Sequence, residues 1–547
     1  MNRLSARNRP TLVQQLESHT FDLLVIGGGI TGAGIALDAA SRGMKVALVE
    51  MRDFASGTSS KSTKLIHGGL RYLKQLEVTL VREVGRERAV VHQLAPHLVI
   101  AEKMLLPLIE GGTYGKWATS FGLYVYDLLA EVDGKDRRRM LSREETLREE
   151  PLLRREGVLG GGLYAEYRTD DARLTIEIIK TATQYGAHCL NYLKALEFLY
   201  ENHKIRGVRC KDLMQNKEIS IKSSFVINAA GPWVDELRRY DASLHGKRLF
   251  HSKGVHLVVP YLRLPLKNAV YFDVPDGRMI FAIPRQRTTY IGTTDTPYEG
   301  DLNHVLTTKE DVAYILNAAN QMFPGANLTI TDVESSWAGL RPLIYEEGKS
   351  ASDMSRKDEI FESESGLISI AGGKLTGYRK MAEKVVNRVA KKFKMQQNRA
   401  FESCKTDRIP LGGGAFQDAA EVEDYKEILC RELQEMGLSA DLAVYLTANY
   451  GKQAALILQS LQGFPQVSAT SLLRAELQFC LDNELVFKPM DFLNRRTGRL
   501  YFDIKSIEPV LDSILKDFQQ YFDWNEAQLE AERQEALAAM QAVSTFE

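Results

Sequence analysis

Residues 21–50 read FDLLVIGGGITGAGIALDAASRGMKVALVE, and the order of residue types in them decides the fold. Leu23–Ile26 predicts a buried strand, a glycine turn follows, a helix is expected over about Gly32–Arg42, and Val46–Val49 reads as a second strand. Gly27, Gly29 and Gly32 satisfy G-x-G-x-x-G, and Glu50 stands 18 positions beyond Gly32 at the tip of the second strand. Each part has a mechanical task. Gly27 permits the tight turn, Gly29 lets backbone approach a pyrophosphate, and Gly32 lets the helix pack on the sheet. The helix amino terminus offers N–H groups and a positive dipole end to that pyrophosphate, and Glu50 is placed to accept from an adenosine ribose. A lone glycine motif also describes an ordinary turn. Strand, helix, Gly43 at the helix end and the acidic residue together point to a dinucleotide site, with NAD and FAD both open.

The 547 residues are too many for one core, so two or three domains are expected. A hydrophobic content of 44% and a charged content of 26% are those of an ordinary globular protein. The net charge of −1 provides no field to draw in phosphates, which argues against a general nucleic-acid binder. The nearest two of the five cysteines, Cys189 and Cys210, lie 21 positions apart. Neither a disulfide framework nor a zinc site is expected from that spacing, which suits a reducing compartment. The first twenty residues are polar and do not read as a secretory signal, and no uninterrupted apolar stretch is long enough to span a bilayer.

Beyond Glu50, MRDFASGTSSKSTKLIHGGLRYLKQ predicts a long loop, a length usually reserved for function, leading into a helix over about Val78–Leu94. Residues 103–130 hold an apolar strand, a Gly-Gly turn and an aromatic-rich helix, and 136–150 reads as a charged surface helix. YAEYRTDDARLTIEIIKTATQYG (164–186) predicts a loop and an amphipathic helix, and FVINAAGPW (225–233) a buried strand with a small-residue turn. From Gly254 to Thr294 the apolar period becomes two, predicting four antiparallel strands in a separate substrate layer. SSWAGLRPL (335–343) precedes a charged loop, and LISIAGGKLTGYRKMAEKVVNRVAKKF (367–393) repeats strand, Gly-Gly turn and helix. Past about Met395 the pattern is helical, with helices at 438–451, 471–479 and 525–543.

Two of these segments, IGGGITGAGIALDAASRG (26–43) and GGKLTGYRKMA (372–382), resemble signatures of the FAD-dependent glycerol-3-phosphate dehydrogenases, and TSSKSTKLIHGGLRYL (58–73) and DFLNRRTGRL (491–500) look like further family segments. The resemblance runs from about Phe21 to Leu500 and is closest to the aerobic, respiratory type. It implies an α/β fold: a Rossmann-type FAD-binding domain, an antiparallel β substrate domain and a helical C-terminal domain. The expected boundaries are 1–398 for the interleaved FAD-binding and substrate parts, and 399–547 for the helical part. FAD-binding segments are expected mainly at 20–100, 160–235 and 340–395, and the substrate layer mainly at 240–340. The calcium-loop pattern of mitochondrial members does not occur near the end of this sequence.

The activity implied is oxidation of sn-glycerol 3-phosphate to dihydroxyacetone phosphate, with hydride passing to flavin N5 and electrons leaving to a membrane quinone. An oxygen-using glycerophosphate oxidase, or another oxidase of the fold, is the alternative. Peripheral contact with the inner face of the cell membrane is expected, with Lys116, Trp117 and Phe121 or the Arg137–Arg139 cluster as candidate contacts, and a homodimer is left open. By motif, Arg71 and Arg341 are guanidinium candidates for phosphate or a developing alkoxide. Lys374 would be a point charge near substrate and flavin. His256 is the candidate general base, with His67 its rival. For the cofactor, Gly27, Gly29, Gly32 and Glu50 would hold the adenosine end. Ser59, Ser60, Lys64 and His67 lie in the loop expected along the pyrophosphate and isoalloxazine. Ala230 and Gly231 would flank the dinucleotide, and Gly373, Lys374 and Thr376 would meet the flavin. No metal site is expected.

Overall fold

The structure, a computed structural model, describes residues 4–67, 78–112, 138–345 and 358–546. Arg71 lies outside these, as do Lys116, Trp117, Phe121 and Arg137.

Thr20–Ile26 is buried along all but its first residue, which is why its sequence is an unbroken apolar run. It pairs in parallel with Val46–Val49 on one side and Lys217–Asn228 on the other. His188–Leu190 and Ile368–Gly372 extend the parallel sheet outward, and Asp358–Glu362 closes one edge antiparallel. Leu193–Glu201 and Lys204–Asp212 add a meander that runs back into Lys217–Asn228. Helix Ile30–Ser41 packs between helices Asp171–Gln184 and Tyr378–Gln397. Gly27 adopts φ +116°, and a Cβ there would sit 2.4 Å from the carbonyl oxygen of Ala229. A Cβ on Gly32 would fall 1.9 Å from that of Gly27. Turn and helix can approach the sheet only with glycine at both places.

The second sheet is built on Leu249–Pro260, which lies between Thr288–Gly292 and Ser335–Ile344. Met279–Arg285 and Ala269–Asp273 follow in antiparallel order, as the period of two predicts. The sheet then continues into Ile100–Ile109 and Val158–Arg168. The pairing of Ala269 and Val270 with Met104 and Leu105 is parallel, so the substrate sheet is mixed at that point. Tyr164–Arg168, read as loop, is the end of a strand, and 139–149 is a short strand and a helix capped by Ser142. Helix Lys309–Met322 covers the sheet with Val312, Ile315 and Ala319.

The C-terminal part holds helices Ala419–Glu435, Asp441–Tyr450, Ala454–Leu461, Ala469–Asn483, Glu508–Phe522 and Glu526–Ser544. Buried ion pairs fasten it to the first sheet. Arg496 and Arg495 meet Asp53, three residues past Glu50, at 2.7 and 2.5 Å. Arg173 meets Glu484 at 2.7 Å, and Lys180 meets the same carboxylate at 3.0 Å. The polar first residues are also structural: helix Arg9–Ser18 buries Leu12, Val13 and Leu16, and Arg9 pairs with Asp212 at 2.8 Å.

Candidate functional site

The carboxyl ends of the parallel strands and one face of the second sheet enclose a cavity of about 290 Å³. This is where an open α/β sheet binds its ligand, outside the strand ends. Gly27, Gly29, Glu50, Ser59, His67, Ala230, Gly231, His256, Arg341, Gly373, Lys374 and Thr376 all line it. Gly32, Ser60 and Lys64 do not. Gly32 is packing, Ser60 Oγ donates to the Gly57 carbonyl at 3.4 Å, and Lys64 Nζ is buried 2.5 Å from Asp171. The structure therefore gives Lys64 an internal partner in place of the expected cofactor contact.

Glu50 is held in place by backbone. Gly28 N–H donates to one carboxylate oxygen at 2.7 Å and Arg52 N–H to the other at 2.9 Å. Burial raises its pKa, and these two hydrogen bonds oppose the rise. Each oxygen retains a lone pair for a ribose hydroxyl. At the start of helix Ile30–Ser41, Ile30 N–H is already taken by Ser59 Oγ at 2.9 Å, so loop 55–64 is tied to the helix mouth. Thr376 Oγ1 accepts from His67 N–H and donates to its carbonyl, both at 3.2 Å, which fixes the His67 backbone beside the second glycine turn.

On the opposite wall, His256 is buried and its Nε2 lies 3.0 Å from Thr63 Oγ1. Nδ1 has no protein partner among the described residues. Burial, with the nearby cations of Arg341 and Lys64, holds its pKa well below the usual histidine value, so the ring is neutral at physiological pH. Arg341 Nη2 donates to Thr293 Oγ1 at 2.9 Å, and Nη1 to the Thr294 carbonyl at 3.1 Å and Asp295 at 3.3 Å. Both side chains depend on glycines across the strand. A Cβ at Gly254 would lie 2.4 Å from Arg341 Nη2, and one at Gly292 would lie 2.3 Å from His256 Cδ2.

Three residues in or beside the site escaped the sequence reading. Lys61 lines the cavity but sits among Ser and Thr that read as turn formers. Asp295 and Trp233 act through partners far away in sequence, for which a single chain carries no signal. Among the described residues no group of three or more His, Cys, Asp or Glu is placed to hold a metal.

Fold and cavity together define the class, an FAD-dependent oxidoreductase. The residues fit that cofactor: a glycine cradle, a carboxylate at the ribose position, and a second glycine turn opposite two basic side chains. A family model for FAD dependent oxidoreductases matches residues 22–379, and one for the C-terminal domain of alpha-glycerophosphate oxidase matches residues 404–529. The aerobic glycerol-3-phosphate dehydrogenase of Bacillus subtilis (strain 168) is 50% identical over 96% of this chain and 95% of its own. That of Staphylococcus aureus (strain USA300) is 48% identical, over 98% and 97%. Among solved structures, the glycerol-3-phosphate dehydrogenase from Bacillus halodurans complexed with FAD superposes with a TM-score of 0.85. It is 44% identical and covers 99% of this chain and 98% of that one. L-alpha-glycerophosphate oxidase from Mycoplasma pneumoniae, with FAD bound, shares the fold at a TM-score of 0.55 and 19% identity, over 71% of this chain and 97% of that one. The chain belongs to the family of aerobic glycerol-3-phosphate dehydrogenases.

Proposed function

We propose that this chain oxidises sn-glycerol 3-phosphate to dihydroxyacetone phosphate and passes the electrons to a membrane quinone, in peripheral contact with the inner face of the cell membrane. The observation that carries the reading is the convergence of Arg341, His256 and Lys374 on the cavity that the dinucleotide motif also lines. FAD, when bound, supplies the hydride acceptor for C2. Arg341 presents a planar fork to the substrate's phosphate or to the oxygen at C2, and its hold on Thr293, Thr294 and Asp295 fixes the fork before substrate arrives. His256, neutral and lining the cavity, takes the C2 hydroxyl proton, and its Nε2 contact with Thr63 Oγ1 holds the ring in place. Lys374, at the mouth of the second glycine turn, puts positive charge where negative charge develops. Arg71, as a second guanidinium, belongs to this reading by its motif alone.

Among the described residues no helix is long and apolar enough to cross a membrane, which is compatible with peripheral attachment. The acceptor is tested by reducing the FAD-loaded protein with substrate under argon, then mixing it with a soluble quinone or with oxygen. Rapid reoxidation by quinone and slow reoxidation by oxygen is the expected result. The reverse order would make the protein an oxidase.

A further inference from the structure

Lys61 is a basic residue lining the cavity to which the proposed chemistry gives no task. It lies two positions after Ser59, whose Oγ sits on the first N–H of helix Ile30–Ser41. Its backbone is fixed, because strand residue Gly339 packs so closely that a Cβ there would meet the Lys61 carbonyl oxygen at 2.4 Å and its Cβ at 2.9 Å. The side chain therefore enters the cavity from a held point.

No carboxylate among the described residues pairs with the Lys61 ammonium. Three of the nearby acids are committed elsewhere. Glu50 is engaged by Gly28 and Arg52 N–H, Asp171 by Lys64 at 2.5 Å, and Asp53 by Arg495 and Arg496 at 2.5 and 2.7 Å. The charges that Lys61 does feel are the guanidiniums of Arg52 and Arg495. Arg52 in turn is taken up by Asn303 at 2.5 Å and by the Trp233 ring. A lysine that lines a cavity, faces other cations and meets no anion among the described residues marks a place built for one.

We propose that the Lys61 ammonium is this chain's cationic contact for the FAD pyrophosphate, acting beside the helix amino terminus at Ile30. The helix end supplies N–H groups and a dipole, and the lysine adds the full charge that neither glycine turn can give. Burial, and then Arg52 and Arg495, pull the Lys61 pKa down to about 8. An anion bound beside it favours the protonated form. Cofactor affinity is therefore complete below pH 8 and falls as pH rises above it, with a proton taken up on binding in that range.

The test follows FAD release from the full-length, FAD-loaded protein by flavin fluorescence on dilution, at pH 7 and pH 9. Lys61→Met should weaken FAD about 10- to 100-fold at pH 7, the scale of one charge-assisted hydrogen bond, and flatten the pH dependence. Lys61→Arg should recover most of the affinity at pH 7 and keep it at pH 9, which separates charge from packing. Reloading the stripped full-length chain with riboflavin, which has no pyrophosphate, should show no difference between wild type and Lys61→Met. The proposal is overturned if Lys61→Met retains FAD as wild type does, or if it weakens riboflavin as much as FAD. It is equally overturned if only the affinity for glycerol 3-phosphate changes, since Lys61 would then meet the substrate's phosphate.

Discussion

The imidazole of His256 lies against the indole of Trp337, with ring centroids 4.8 Å apart and 13° between the planes. The two residues are cross-strand neighbours, and Trp337 Nε1 donates to the Ser62 carbonyl at 3.1 Å, one residue before the Thr63 that meets His256. Strand pairing, stack and loop together hold the imidazole in one orientation.

If His256 takes the hydroxyl proton, His256→Ala lowers turnover by about 10²–10⁴, the usual range for loss of a general base. His67→Ala is the matched control. A pH profile of turnover for both variants makes the assignment. Loss of the acidic limb in the His67 variant alone would transfer the role to His67.

Arg341 is open to two independent perturbations. Arg341→Lys keeps charge and loses the fork, so it raises the Michaelis constant for glycerol 3-phosphate and lowers turnover. Gly254→Ala leaves Arg341 in the sequence but drives a methyl to 2.4 Å from its Nη2 and 2.7 Å from Cζ, displacing the guanidinium. Steady-state kinetics should show the same direction of change in both. Wild-type kinetics in Gly254→Ala would mean that the observed placement of Arg341 is not the working one.

Lys374→Met roughly preserves length and removes the charge. Turnover is expected to fall by about 10²–10³, the scale for one oriented stabilising donor, and the flavin midpoint potential to move downward. Both are read on the same FAD-loaded sample. A wild-type potential with wild-type turnover would remove Lys374 from the reaction.

His97 is buried with neither ring nitrogen bonded to protein among the described residues, and burial, with Arg173 and Lys180, pulls its pKa down to about 3. The unfolded chain binds that proton near pH 6.5 and the folded chain does not, so the stability is present above pH 6.5 and lost as pH falls. Between pH 7 and pH 5 the loss is about 2 kcal/mol for this group alone. Denaturant unfolding of His97→Gln should show an acid dependence shallower by that amount. An unchanged slope would mean that the ring is protonated in the folded protein.

The first sheet was legible because buried parallel strands and a glycine turn leave unbroken apolar runs and fixed spacings, as at Leu23–Gly32 and Ile368–Gly373. The His256 strand and the strands between Ala269 and Gly292 followed from the period of two. Val158–Arg168 was not legible. Its Gly160, Gly161 and Gly162 carry no strand signal, yet they pair in register with Leu108, Pro107 and Leu106, and long-range pairing overrides local preference there. Ser335–Ile344 was passed over for the same reason: Gly339 and Pro342 break the pattern, while pairing along the whole of Leu249–Val258 makes it a strand. The bond from Arg496 to Asp53 spans 443 positions, and nothing local in either residue announces it. Lys64 matched a motif, but only the fold shows that Asp171 already holds its charge.

That this cavity carries an FAD which glycerol 3-phosphate reduces can be checked in one anaerobic titration. The purified full-length protein should show flavin absorption bands. Addition of sn-glycerol 3-phosphate in the absence of oxygen should bleach them, with one dihydroxyacetone phosphate formed per flavin. A protein that shows the flavin bands and keeps them at saturating glycerol 3-phosphate would not be a glycerol-3-phosphate-oxidising flavoenzyme.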